Sequence, residues 1–229
     1  MRDIETMSMG GEDGAKAKTA SRGRPKKRSD EARQEQILAA AMSAFIDKGF
    51  ARATMSDIAR QAGMSKRDLY KQFSDKQALF AATIESRRHL ILGLPRPDGE
   101  TLPLRDLLRR VFRLDLDARN ADERDTLMAL IHRESLMLPT LNALLYDGRI
   151  LQFRETLVVW LKDEMQTGRV AQAQPERVAG MMLDLVFGVL LPKRRPTVPV
   201  DRHMQAEEIL DRLEILLAGL AARSAQKTV

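Results

Sequence analysis

The 229 residues contain no cysteine. That excludes disulfides and thiolate metal sites, and fits a reducing compartment. Aromatics are scarce, one Trp, two Tyr and seven Phe, so the core must be filled chiefly by aliphatic side chains. No apolar run approaches the ~18 residues that a membrane span needs. The polar, mixed-charge N-terminus lacks the apolar stretch of a signal peptide. A cytoplasmic protein with no membrane partner is the expectation. The three histidines, His89, His132 and His203, lie far apart without cysteine companions, which argues against a zinc site. His132 and Glu134 stand at i, i+2, positions that do not face each other on a helix. GxGxxG, P-loop and GxSxG motifs are all missing. The expectation is a non-enzyme with neither cofactor nor metal.

What is present begins with charge. The net charge is +6, which suggests a polyanionic partner. Seven basic residues and no acid lie between Lys16 and Arg28, and setting these aside leaves 31 basic against 32 acidic residues. The basicity therefore belongs to one tail. Residues 1–29 carry four glycines and a proline but no apolar periodicity, the composition of a disordered basic arm. Within it, Arg22-Gly23-Arg24-Pro25 resembles an AT-hook, in which an extended segment lies in a narrow A·T-rich minor groove and arginines seek its negative potential. Arg22 and Arg24 are its candidate DNA contacts; the other reading is a tail that adds phosphate attraction without reading the groove.

With 44% apolar residues, the rest of the chain can bury a substantial core, and its pattern is helical throughout. Ile37, Ala41 and Phe45 recur at i, i+4, i+8 in a helix expected from Asp30 to Lys48. Thr54 and Asp57 form a Thr-x-x-Asp start signal, Met55, Ile58, Ala59 and Ala62 share a face, and Gly63 is suited to the left-handed residue after a helix. Ser65 and Asp68 repeat the start signal, with Leu69 and Phe73 behind them. Ser74 and Gln77 read as a third capping box, opening a helix through about Leu92. Lys76 in its first turn opposes the helix dipole, a conflict that a nearby phosphate would resolve. Cap, short helix, glycine turn, cap, short helix is the layout of a helix-turn-helix whose second helix enters the major groove. On that helix Lys66, Arg67, Tyr70 and Lys71 lie opposite Leu69 and Phe73 or at its leading end.

The run Ile37 to Phe45, then Lys48-Gly49-Phe50, Thr54, Ile58-Ala59, Ala62-Gly63-Met64-Ser65, Leu69-Tyr70, Phe73, Asp75-Lys76 and Leu79-Phe80, resembles the DNA-binding domain of the TetR family of transcriptional regulators. The resemblance covers about residues 30 to 90. It implies that Tyr70 packs on and donates to the DNA backbone, and that Thr54 and Lys76 contact phosphates that fix register. Ser65 joins them at the mouth of the recognition helix. One departure stands out: many members have Gly two residues after the Ser that opens this helix, where Arg67 stands here. A long bidentate donor at that point suits guanine O6/N7 or phosphate.

Two prolines and two glycines between Leu92 and Glu100 break the chain, so the expected division is residues 30–92 for a three-helix DNA-binding domain and 101–225 for an all-helical effector-binding and dimerisation domain. The helix from Pro175 is apolar on almost every side and must be covered. In TetR-like regulators the last two long helices pair with their copies, which implies a homodimer. Leu130 to Tyr146 with Gly168-Arg169-Val170 is more distantly similar to AefR-like members. The family resemblance also implies a pocket for a small apolar effector among the helices of residues 103–167, with Phe112, Met128, His132, Phe153, Leu157 and Trp160 as candidates; the same positions also serve as plain core. The fold class is all-α. The function implied is a ligand-responsive repressor that binds a near-palindromic operator in double-stranded DNA as a dimer. The alternative is an architectural DNA-binding protein dominated by its arm, without an effector.

Overall fold

The computed structural model describes residues 26–97, 99–190 and 201–227. Arg22, Arg24 and most of the proposed arm lie outside the described residues, as does the loop from Pro192 to Pro199. Among the described residues the chain forms ten α-helices and a short 3-10 turn, with no strand. They are α1 (Lys26–Arg52), α2 (Met55–Gln61), α3 (Lys66–Gln72), α4 (Lys76–Arg87), α5 (Leu104–Val111), α6 (Ala118–Met137), α7 (Pro139–Asp147), α8 (Phe153–Gln166), α9 (Pro175–Leu190) and α10 (Arg202–Lys227); the 3-10 turn Arg88–Leu90 follows α4. The first helix starts at Lys26, earlier than the expected Asp30. Its regular run is interrupted at Gly49, where φ is 75°, so Gly49 does end the main segment before one further turn.

Local chemistry sets the ends of the short helices. Thr54 caps α2, its hydroxyl accepting from the Asp57 amide at 3.1 Å and donating to the Asp57 carboxylate at 2.9 Å. Ser65 does the same for α3 with Asp68, at 3.1 and 2.7 Å. Between them the Gly63 amide bonds the Arg60 carbonyl and the Met64 amide bonds the Ala59 carbonyl, a Schellman ending with Gly63 at φ 63°. Gln36 of α1 then donates to the Ala62 carbonyl at 3.0 Å, fastening the turn from outside. The cap of α4 differs from the expected one. Asp75, not Ser74, accepts from the Ala78 amide at 2.7 Å, and Ser74 donates to Asp75 instead. A carboxylate is the stronger acceptor for a helix N-terminus, and the Ala78 amide holds the Asp75 carboxyl below its usual range.

The apolar residues sort into two cores. The first joins α1–α4 and is centred on Phe45, Phe50 and Phe80, whose ring centroids lie 5.0–5.9 Å apart. It does not stop at the Leu92–Glu100 break: Leu127, Leu130 and Ile131 of α6 and Leu141 and Leu145 of α7 belong to it. The second gathers α5, α8, α9 and α10 around Phe112, Leu157, Leu161, Met182, Val186 and Ile209. At the break, Gly93 donates to the Val111 carbonyl at 2.8 Å, and a Cβ there would fall 2.5 Å from the Arg110 carbonyl oxygen. Glycine lets the linker lie flat against the end of α5.

Candidate nucleic-acid interface

Helix α3 is held down by one side chain and exposes the rest. Leu69 is fully buried, whereas Lys66, Arg67, Tyr70 and Lys71 face solvent, Tyr70 at 45% exposure. Their charges differ in availability. Lys71 is paired with Asp68 at 2.8 Å, and that contact is the main reason the Asp68 carboxyl stays below its usual range. Lys66 sits 5.8 Å from the Tyr70 ring centroid, within reach of a cation–π contact. Arg67 has no ion pair or hydrogen bond to any other described residue, so its five donors are free. Behind α3, Asp57 is held below its usual range chiefly by Lys48 at 3.0 Å and by Thr54. The hydroxyls of Thr54 and Ser65 are exposed but already donate to Asp57 and Asp68, so a phosphate would have to draw them away.

Lys76 is placed otherwise than expected for a phosphate contact. Its ammonium donates to the carbonyls of Phe50, Ala51 and Ala53 at 2.7, 3.1 and 3.0 Å and lies 4.5 Å from the Phe50 ring centroid. Burial lowers its pKa, against the pull of Glu134. The unfavourable first-turn lysine is thus explained by another helix end, because orphan carbonyls at a C-terminus attract cations. Arg133 of α6 completes this seal, donating to the Phe45 carbonyl at 2.8 Å and to Glu134 at 3.0 Å. A second bridge is buried nearby. Arg87, 7% exposed, binds Glu35 of α1 at 2.7 Å and Glu123 of α6 at 2.8 Å.

Among the described residues an open groove of about 720 Å³ lies between one stripe of α8 and Leu94–Pro97 with Gly99 and Glu100. Of the six residues expected from the sequence to line a ligand pocket, Trp160 borders this groove. Phe112 and Leu157 are wholly buried in the second core, Met128 packs on the first core, Phe153 packs on both, and His132 is exposed. The groove instead brings in Glu155, Val159 and Glu164, with Arg96 and Glu100 opposite.

The same arrangement of helices is found in known proteins. Residues 37–83 match the family model described as bacterial regulatory proteins, tetR family. An uncharacterized HTH-type transcriptional regulator of Mycobacterium bovis is 28% identical over 148 residues, 65% of this chain and 75% of that protein. The HTH-type transcriptional regulator TtgR of Pseudomonas putida is 40% identical over 104 residues, 42% of this chain and 49% of its own. A crystal structure of a TetR-family transcriptional regulator from Rhodococcus sp. has the same fold, with a TM-score of 0.65 at 20% identity over 82% of this chain and 99% of that one. The chain carries a TetR-family DNA-binding domain. It is accordingly a DNA-binding transcriptional regulator and not an enzyme. Within this TetR-family frame, sequence reasoning overlooked Arg87, Arg133 and the α8 stripe. The stripe carried a signal: acids, Thr156 and Trp160 alternate at i, i+3 and i+4 along a helix otherwise expected to turn apolar residues inward. No helix among the described residues is long and apolar enough to cross a membrane.

Proposed function

We propose that this TetR-family regulator is a ligand-responsive repressor that works in the cytoplasm as a homodimer. Residues 30–92 form its reading head and residues 101–225 its effector-binding and dimerisation part. The observation that carries the reading is α3 itself: Leu69 is sunk in the core while Lys66, Arg67, Tyr70 and Lys71 face outward together. Two such helices, about 34 Å apart, would enter successive major grooves of a near-palindromic operator. Arg67 is the base reader, since its guanidinium has no internal partner to give up. Thr54, Ser65, Tyr70 and Lys71 set register on the phosphates, while Lys76 acts from behind by sealing the end of α1. Arg22 and Arg24 add affinity from the arm.

Dimerisation follows from α9 and α10. Met181, Leu183, Leu185 and Phe187 remain only partly covered within one chain, and Ile215 is 72% exposed on α10. A second copy of the same surface would cover them in a two-fold arrangement. An effector held beside α8 would favour one separation of the two reading heads over another, and operator affinity would change by its differential binding energy. Mobility-shift titrations with operators selected from random duplexes test the core of this. Lys66→Ala and Tyr70→Ala should each weaken binding; unchanged operator affinity in both would remove α3 from its role.

A further inference from the structure

Each of the two short helices of the reading head carries one aspartate that gathers the polar groups around it. On α2, Asp57 accepts from the Thr54 hydroxyl at 2.9 Å and pairs with Lys48 and Arg60, each at 3.0 Å. On α3, Asp68 accepts from the Ser65 hydroxyl at 2.7 Å, pairs with Lys71 at 2.8 Å and has Arg33 at 3.9 Å. Two carboxylates thus engage four cations and both capping hydroxyls, the kinds of group that seek DNA phosphates. Lys66 and Arg67 differ, having no carboxylate partner among the described residues. The head therefore presents two untethered cations on its outward helix and a surrounding set that is held in place.

Folding stability does not account for the arrangement. The four tethered cations keep 45–80% side-chain exposure, and exposed pairs add little to stability. Their consequence falls on DNA. The contacts of Lys48 and then Thr54 keep the Asp57 carboxyl below its usual range, and those of Lys71 and then Ser65 do the same for Asp68. Binding to random sequence is almost wholly phosphate attraction, gathered in many registers by side chains free to follow the backbone. A tethered lysine or arginine cannot follow it. At one fitted register the tether costs less, because an ammonium has three donors and a guanidinium five, enough to serve a carboxylate and a phosphate together. We propose that Asp57 and Asp68 are specificity-determining residues, which tether the head's cations and cap hydroxyls and so depress binding to random sequence more than binding to the operator. The inference rests on the DNA-reading role proposed for α3.

Asp57→Asn and Asp68→Asn test this, because asparagine keeps an oxygen for the cap hydroxyl and loses the charge. Each full-length variant is titrated by fluorescence anisotropy against a selected operator and against random duplexes of equal length, over a series of salt concentrations. Affinity for random duplex should rise at least roughly threefold in each, the scale of one screened unit charge near a phosphate. The salt slope should steepen by about 0.9 for every further phosphate engaged. Operator affinity should rise less, so the preference for operator falls. A double-mutant cycle locates the gain: in a Lys71→Gln background, Asp68→Asn should raise random-duplex affinity much less. Two surface variants test the tether with both aspartates in place. Lys71→Gln should weaken random-duplex binding less than Lys66→Gln, which removes an untethered charge. Random-duplex affinity unchanged or lowered in both Asn variants, a rise matched at the operator, a rise undiminished without Lys71, or equal losses in the two lysine variants overturns the proposal. Failure of the α3 reading shows separately, as operator affinity untouched by Lys66→Ala and Tyr70→Ala.

Discussion

In the reading-head core three phenylalanine rings interlock at 5.0–5.9 Å, and the polar groups around them are each matched: Lys76 and Arg133 on the carbonyls ending α1, Arg87 on two glutamates. In the C-terminal core the filling is mostly aliphatic, a large groove opens along one helix, and Arg113 Nε and Glu155 Oε2 have no hydrogen-bond partner among the described residues. A part that must present α3 at one orientation gains from close packing and complete polar pairing. A part that must take in a ligand needs space and unsatisfied groups, which lower its stability until the ligand binds. The two parts are fastened together, because α6 and α7 lend apolar residues to the first core. A shift of α6 is therefore a shift of the wall against which α1 and α4 pack.

The largest effect expected from breaking this contrast is Phe80→Ala. The ring is fully buried and meets both Phe45 and Phe50 edge-on, so its loss should cost roughly 3–5 kcal/mol. Urea unfolding at fixed protein concentration should show this as a lowered midpoint, with operator binding lost well before full denaturation. A cost under about 1 kcal/mol would mean that the aromatic cluster is not the anchor of the head.

Arg87→Met tests the fastening. The guanidinium is buried but its partners keep some access to water, Glu35 at 62% and Glu123 at 34% side-chain exposure. The glutamates can rehydrate, so roughly 1–3 kcal/mol of stability should be lost rather than the larger penalty of a stranded buried charge. The informative readout is coupling. The factor by which a ligand changes operator affinity should shrink, while operator affinity without ligand changes less. An unaltered factor would reduce Arg87 to a packing role.

How much of the fold and site is legible in the sequence depends on distance along the chain. Thr54, Ser65 and Gly63 act on residues within a few positions, so their patterns suffice to place α2 and α3. Asp75 displaces Ser74 as a cap because two adjacent acceptors compete and the charged one wins, a choice that spacing does not reveal. Lys76 reads as a phosphate contact when its own helix alone is in view. Its real partners, Phe50, Ala51 and Ala53, lie 26, 25 and 23 residues away. The ligand wall is hidden for a related reason. Phe112, Leu157 and Trp160 all recur at helical spacing, and nothing in that periodicity separates a fully buried ring from one that borders a groove. The polar stripe of α8 is the better clue, since polar groups on an inward face require partners.

Arg67→Ala sharpens the separation between reading and responding. The side chain is exposed and makes no ion pair or hydrogen bond to another described residue, so stability should stay within about 0.5 kcal/mol. Base discrimination at one operator position should fall by roughly 1–3 kcal/mol, seen as relaxed sequence preference in selected duplexes. Binding of ligand in the α8 groove should be unchanged. A uniform loss of affinity across all sequences, with a shallower salt dependence, would instead assign Arg67 to a phosphate.

The smallest effect belongs to the ionic seam joining α5 to α10 inside the C-terminal part. Arg109 and Arg105 bind Glu207 at 2.5 and 2.7 Å, and they lower its pKa to about 2, Arg109 contributing most. A carboxyl whose folded pKa is depressed stabilises the fold fully above its unfolded pKa, about 4.3. That contribution fades as the pH falls from there toward the folded value of about 2. Glu207→Gln removes the titration. Wild type should therefore melt above the variant at pH 7, and the gap should close between about pH 4.5 and 2. Other carboxylates such as Asp57 and Asp68 titrate in both proteins and cancel in the difference. The seam is partly exposed to solvent, so added salt should narrow the gap at pH 7 as well. A gap that stays constant with pH would mean that glutamine disturbs packing rather than charge. The seam would then be part of the aliphatic core's shape, not an electrostatic clasp on its outer edge.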